Sequence, residues 1–116
     1  MRGEPIEEGA AVEALAALGH PTRIEAVRQL VGAGDAGLAA GAIARVLDVR
    51  ENALSPHLAR LVQAGLATRR REGRAVRYEA DVAGLSGLLD FLLKDCCGGR
   101  PELCAPVPSE RKEKIA

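Results

Sequence analysis

The fold is decided by residues 42–79, which read AIARVLDVRENALSPHLARLVQAGLATRRREGRAVRYE. Residues 42–47 place apolar side chains at helical spacing, which predicts a short helix followed by a tight polar connection. We expect a longer helix over residues 52–64, because its apolar residues repeat at helical spacing and Asn52 is a good N-cap. Pro56 favours this start, since proline is tolerated only near the first turn of a helix.

An arginine-rich hairpin follows the longer helix. Residues 67–71 and 75–79 have the β propensity of two short strands, and Gly73 supplies the turn between them. A short helix, a tight connection, a helix with a polar face and a basic hairpin form the layout of a winged helix-turn-helix. The sequence therefore predicts a mainly α fold of the α+β class, with about five helices and a two-stranded β-hairpin wing.

Helical spacing also appears on both sides of this segment. Residues 11–18 form a first helix, and a second helix begins at Pro21 and reaches about Ala33. The last helix is predicted over residues 82–94, and its apolar face is broader than one small core requires.

Composition and charge limit the function. The chain has 116 residues with one Phe, one Tyr and no Trp, so it lacks the aromatic platforms of base-stacking modules. It contains no apolar run long enough to span a membrane and no signal peptide, which predicts a cytoplasmic protein without a membrane partner. The net charge is zero, yet residues 45–77 form an arginine-rich block, which indicates DNA as a partner. A solvated arginine-rich face is the alternative.

The longer helix is the predicted recognition helix, because such a helix fits the major groove and its N-terminal residues meet the base edges. Arginines on the wing, Arg69 among them, would contact phosphates or the minor groove, although strand alternation prevents all of them from facing DNA. The predicted DNA-binding residues are Arg50, Glu51, Asn52, Ala53, Ser55, Pro56 and Arg60 on the helix, and Arg70, Arg71, Arg74 and Arg77 on the hairpin. His57 is interpreted either as a packed histidine or as a phosphate or metal contact.

The chain has three cysteines, Cys96, Cys97 and Cys104, and all of them lie in one short segment after the last helix. Their odd number, and the strain of bridging adjacent cysteines, argue against a disulfide framework. Three soft sulfur donors in a segment that contains Gly and Pro suit a thiophilic ion. A packing role and a redox switch are the alternatives.

Four motifs in this order resemble the ArsR/SmtB family of bacterial metal-sensing repressors. They are ALGHPTRI at residues 17–24, NALSPHLARL at 52–61, AGL at 64–66 and REGRAVRY at 71–78. The resemblance, which covers roughly residues 11–95, implies a homodimer held by the first and last helices. It further implies that the dimer binds an inverted repeat of operator DNA and releases it when an inducer binds.

The position of the thiols within this resemblance indicates the inducer. Family members that sense cadmium or lead carry Cys-x-Cys in the third helix, and those that sense zinc, nickel or cobalt use histidines and carboxylates along the last helix. Sulfide sensors pair a cysteine of the second helix with one of the last helix, and the present chain has none of these patterns.

An adjacent cysteine pair just past the last helix, with a third cysteine shortly after, resembles the arsenic sensors. We therefore expect Cys96, Cys97 and Cys104 to bind As(III) or Sb(III), which are soft ions that take three thiolates. Gating by thiol oxidation, or selectivity for methylarsenite through the Cys96–Cys97 pair alone, are the alternatives.

Three segments follow from this interpretation: a dimeric DNA-binding domain at residues 1–95, an inducer-binding segment at 96–104, and a tail at 105–116 that is expected to be disordered. No prosthetic group is expected. A thiol enzyme such as a small arsenate reductase is disfavoured, because no glycine-rich oxyanion loop accompanies a cysteine at a helix N-terminus and no histidine lies near the thiols in sequence.

Overall fold

A computed structural model describes the backbone of residues 6–96 and the side chains of residues 6–94. The helices are α1 (Glu8–Leu18), α2 (Pro21–Ala33), α3 (Ala40–Leu47), α4 (Glu51–Gln63) and α5 (Val82–Asp90). The strands are β1 (Leu38–Ala39), β2 (Ala67–Glu72) and β3 (Ala75–Ala80). These elements confirm the predicted mainly α fold with a β wing.

The wing belongs to a three-stranded antiparallel sheet in the order β1-β3-β2, so the prediction of a two-stranded hairpin was incomplete. Leu38 pairs with Tyr78, and Ala39 pairs with Arg77. A strand of two residues is too short to show the alternation that reveals strands in a sequence. Gly37 leads into this strand at a φ of 68°, and a Cβ there would lie 2.6 Å from the Tyr78 carbonyl oxygen.

Helix α2 begins as its sequence predicts, whereas α4 begins earlier than expected. Pro21 is the first residue of α2, and the His20 side chain caps the helix by accepting a hydrogen bond from the Thr22 N–H at 3.1 Å. The N-cap of α4 is Arg50, with no side-chain cap, so the prediction of Asn52 as N-cap was wrong. Pro56 lies inside α4, past the first turn and on its exposed side.

The last helix changes its winding before it reaches the cysteines. Helix α5 is capped by the Asp81 carboxylate, which accepts from the Gly84 N–H at 2.9 Å, and it ends at Asp90. The chain then continues in wider π-helical turns over Phe91–Cys96, whereas the sequence predicted one uninterrupted helix. Apolar periodicity does not distinguish α from π winding over so few residues.

The core lies where α2, α3 and α4 meet the base of the wing. Its largest fully buried side chains are Leu30, Ile43, Leu54, Leu58, Leu61 and Leu66. Because the leucine face of α4 packs into the core, the opposite, polar face is directed toward solvent. A recognition helix requires this orientation. Within residues 6–96, no helix is long and apolar enough to cross a membrane.

Candidate nucleic-acid interface

The N-terminal half of α4 presents a polar surface to solvent. The structure leaves exposed six of the seven helix residues predicted to bind DNA: Arg50, Glu51, Asn52, Ala53, Ser55 and Pro56. The Ser55 hydroxyl donates to the Glu51 carbonyl oxygen at 3.3 Å, within the helix itself. The leucines on the other side of α4 are fully buried, so the exposed face is held in place from beneath.

Arg60, the seventh predicted residue, points toward α1. Its Nη1 atom lies 3.2 Å from Oε1 of Glu13, and its side chain is 31% exposed. This ion pair joins the recognition helix to the first helix of the chain. Local sequence patterns do not indicate this contact, because Glu13 and Arg60 are far apart in the chain.

A second polar link joins α4 to the corner between α1 and α2. Arg23 donates from Nε to the Ala17 carbonyl oxygen at the end of α1, and its Nη1 lies 3.1 Å from Nδ1 of His57 in α4. The His57 ring also packs against the His20 ring, with the two centroids 4.4 Å apart. Arg23 thus bridges three helices, a role that sequence reasoning missed.

Both histidines of this cluster accept a hydrogen bond at Nδ1. Arginine and a backbone N–H can only donate, so Nδ1 of His57 is the acceptor for Arg23 and Nδ1 of His20 is the acceptor for the Thr22 N–H. Burial, followed by the neighbouring His20 and Arg23, lowers the pKa of His57. This agrees with the interpretation of His57 as a packed histidine. Among the residues that the structure describes, no three metal-binding side chains come together.

The wing has two faces of different charge. Arg70 pairs with Arg77 across β2 and β3, and alternation places Glu72 and Glu79 on the same face as these arginines. Arg70 contacts both carboxylates, with Nε 3.0 Å from Glu72 Oε2 and Nη1 2.8 Å from Glu79 Oε1. Hydrogen bonds to Glu72 and Glu79 raise the pKa of Arg70. Arg77 lies 3.3 Å from the other oxygen of Glu72.

The remaining wing arginines are exposed. Arg69 and Arg71 lie on the opposite face of β2, and Arg74 follows Gly73 in the turn. Within the described part of the chain, none of the three forms an ion pair. Strand alternation places Arg69 on the same face as Arg71.

Exposed apolar side chains cluster on the first and last helices. Of the large ones that the described residues expose, five lie on α1, α5 or the π-helical turns: Val12, Leu15, Val82, Leu89 and Leu93. Val12 and Leu89 are 56% and 60% exposed. These two ends of the described chain therefore carry most of the large apolar side chains that it exposes.

The side chains of the predicted inducer site lie outside the part of the chain that the structure describes. Cys97, Cys104 and the tail at residues 105–116 lie outside the described residues, as does the side chain of Cys96. The structure describes only the backbone that leads to them, through the π-helical turns of Phe91–Cys96.

Comparison with known proteins places the fold in a family. A family model described as a helix-turn-helix domain matches residues 18–70. The solved structure of an ArsR-like transcriptional regulator from Rhodococcus sp. RHA1 is 30% identical with a TM-score of 0.69, and the match covers 84% of this chain and 89% of that one. The chain belongs to the ArsR family of transcriptional regulators. This confirms the family resemblance and the prediction that the chain is not an enzyme.

Two further similarities describe relatives of this ArsR-family chain. A protein of Halobacterium salinarum that is named as an arsenical resistance operon repressor, ArsR, is 38% identical over 80 residues. The matched part is 66% of this chain and 61% of that relative's own length. The homodimeric winged helix-turn-helix domain of Mb0332 from Mycobacterium bovis is 25% identical with a TM-score of 0.60, covering 82% of each chain.

Proposed function

We propose that this chain is a homodimeric transcriptional repressor that releases operator DNA when trivalent arsenic or antimony binds Cys96, Cys97 and Cys104. One observation carries the proposal: the only cysteines of an ArsR-family chain follow its last helix as an adjacent pair and a nearby third. Three thiols match the preference of As(III) for sulfur and its three-coordinate geometry. The name of the Halobacterium salinarum relative supports the same inducer.

Dimerisation is supported by the apolar surface of α1, α5 and the π-helical turns. Val12 and Leu15 on α1, together with Leu89 and Leu93 near the end of the chain's last helix, would be covered by the same surface of a second copy. A two-fold dimer would place its two α4 helices about 34–36 Å apart, so that each enters a major groove of an inverted repeat.

Induction requires that a change near the cysteines alters the spacing of the two α4 helices. The thiols follow the proposed dimer surface directly, so drawing them around an ion would move the last helix against the partner subunit. Helix α1 shares that surface, and it is tied to α4 by the Glu13–Arg60 pair and by Arg23. A coupling of about 1–3 kcal/mol would lower operator affinity roughly 5- to 150-fold.

The test is a titration of the reduced protein bound to a DNA duplex that the wild-type protein selects from a randomised pool. Arsenite, methylarsenite, cadmium and peroxide are added in separate experiments, and release of the duplex is followed by fluorescence anisotropy. We expect release by arsenite and no release by cadmium. If arsenite left the affinity of the reduced protein unchanged, the proposal would be wrong.

Replacing Cys104 distinguishes three-thiol binding from two-thiol binding, and peroxide tests the redox alternative. The Cys104→Ser variant should lose its response to arsenite if three thiols bind the ion, whereas a sensor of methylarsenite that uses only Cys96 and Cys97 should keep its response to that compound. Release by peroxide without arsenic, accompanied by a disulfide in the mass spectrum, would instead identify a redox-gated repressor.

A further inference from the structure

We propose that Arg70 is a positioning residue that holds the wing at a fixed angle to the domain, and that the phosphate contacts of the wing come from Arg69, Arg71 and Arg74. The inference rests on the proposed DNA-binding function and assigns separate roles to residues of the same basic hairpin. It removes Arg70 and Arg77 from the residues expected to touch DNA and keeps Arg69, Arg71 and Arg74 among them.

All three nitrogen atoms of the Arg70 guanidinium are engaged within the protein. Nε and Nη1 contact Glu72 and Glu79, and Nη2 donates to the carbonyl oxygens of Asp35 and Ala36, both at 3.4 Å. A DNA phosphate could bind this guanidinium only by displacing one of these two carboxylates. The displaced carboxylate would then lie unpaired beside the negative DNA backbone, which is unfavourable.

The carbonyl contacts cross from the wing to the loop that follows α2, whose first residues, Gly34–Ala36, form a 3₁₀ turn. Arg77 reaches the same loop, since its Nη1 donates to the Gly37 carbonyl oxygen at 3.4 Å. Strand β1 pairs with β3 only at Tyr78 and Arg77, so the hairpin from there to its turn extends beyond the third strand. Arg70 and Arg77 therefore lie at the last position of the hairpin that pairing with β1 supports.

The pairing of two arginines across the strands needs compensation. Like charges directly opposite each other destabilise an antiparallel pair, and Arg70 is opposite Arg77. Glu72 offsets this repulsion by placing one carboxylate oxygen against each arginine. The face thus carries two positive and two negative groups, whereas Arg69 and Arg71 have no acidic partner among the described residues.

The experiment compares neighbouring arginines of β2 by the salt dependence of binding to the pool-selected duplex. In Arg71→Ala, the slope of log K against log salt should fall by about 0.9, the loss of one phosphate contact. In Arg70→Ala, the slope should stay at the wild-type value while affinity falls roughly two- to fivefold at every salt concentration. A loss of this size corresponds to the free energy of a surface ion pair. A loss of slope in Arg70→Ala equal to that in Arg71→Ala would overturn the proposal.

Substitutions that keep or raise the positive charge of the wing separate geometry from electrostatics. Glu79→Gln removes a negative charge, so it should tighten DNA binding if charge alone matters, but it should weaken binding if Glu79 holds Arg70 in place. Arg70→Lys keeps the charge without the fork of donors and should not restore affinity, whereas Arg71→Lys should stay near wild type. Tighter binding by Glu79→Gln, or full affinity in Arg70→Lys, would contradict the positioning role.

Hydrogen exchange in the DNA-free protein tests the same role independently of DNA. Arg70→Ala and Glu79→Gln should speed amide exchange in β3 and in the loop at residues 34–37, and Arg71→Ala should not. Unchanged exchange in Arg70→Ala would refute the positioning role even if the wild-type protein binds DNA. If the wild-type protein selects no duplex from the pool, the proposed function fails while this measurement still decides the role of Arg70.

Discussion

The two flanks of the recognition helix are held by different kinds of contact. On one flank, Leu54, Leu58 and Leu61 are fully buried in the core. On the other, His57 and Arg60 make individual polar contacts with α1 and α2. Apolar burial is strong and insensitive to direction, whereas hydrogen bonds and ion pairs are weaker and require a specific geometry. The difference suggests that the leucine flank determines whether α4 is folded and the polar flank determines its angle to α1.

The largest effect should come from the leucine flank. Leu58→Ala removes a fully buried side chain and is expected to lower the free energy of unfolding by about 2–5 kcal/mol. Urea denaturation followed by circular dichroism measures this loss. Val46→Ala is the matched control, because Val46 is exposed on α3, and it should change stability by less than about 0.5 kcal/mol. Equal losses in the two variants would remove the distinction between core and surface.

The next largest effect should come from Arg23, the centre of the polar flank. Arg23→Gln leaves the Ala17 carbonyl and Nδ1 of His57 without their donor, which is expected to cost about 1–2 kcal/mol in the same denaturation experiment. Arg28→Gln is the control on the same helix, since the partner of Arg28 among the described residues is Glu25, at the surface. If Arg28→Gln lowered the free energy of unfolding as much as Arg23→Gln, the contacts of Arg23 with three helices would contribute no more to stability than a surface ion pair.

The Glu13–Arg60 pair should contribute less, because the Glu13 side chain is 65% exposed and water screens the attraction. A double-mutant cycle of Glu13→Gln and Arg60→Gln is expected to give a coupling free energy of about 0.2–1 kcal/mol. High salt should reduce this coupling. A coupling of zero at low salt would mean that Arg60 does not tie α4 to α1 in solution, and would return Arg60 to the candidate DNA contacts.

The smallest expected effect is a dependence of stability on pH from His57. Burial, then His20 and Arg23, lowers the pKa of His57 below its usual 6.5, so the unfolded chain binds more protons than the folded chain between the two pKa values. The free energy of unfolding should therefore fall as pH drops below 6.5, and level off below the folded pKa. Thermal denaturation across this range measures the effect, and His57→Gln should remove its share of the slope. An unchanged slope in that variant would assign the pH dependence to other groups.

Much of the fold follows from local patterns in the sequence. The apolar stripe of α4, the proline at the start of α2 and the β propensity around Gly73 each act over a few residues, so their structures could be predicted. The short strand β1, the π-helical turns of Phe91–Cys96 and the uncapped start of α4 at Arg50 could not, because tertiary packing decides them. Six of the seven residues predicted to bind DNA at α4 are exposed, since exposure follows directly from the position of the buried leucines, and their contact with DNA stays a prediction.

The sequence by itself determined the helix-turn-helix, the basic hairpin and the three thiols after the last helix, because each is a property of neighbouring residues. Only the tertiary structure decided how individual charges are used. Alternation already implied that the arginines of the wing could not all face DNA, but the register of β2 against β3 brings Glu79 to Arg70, and the packing of α1 brings Glu13 to Arg60. Charge pairing depends on distances between residues remote in the chain, and those distances exist only once the apolar core has folded.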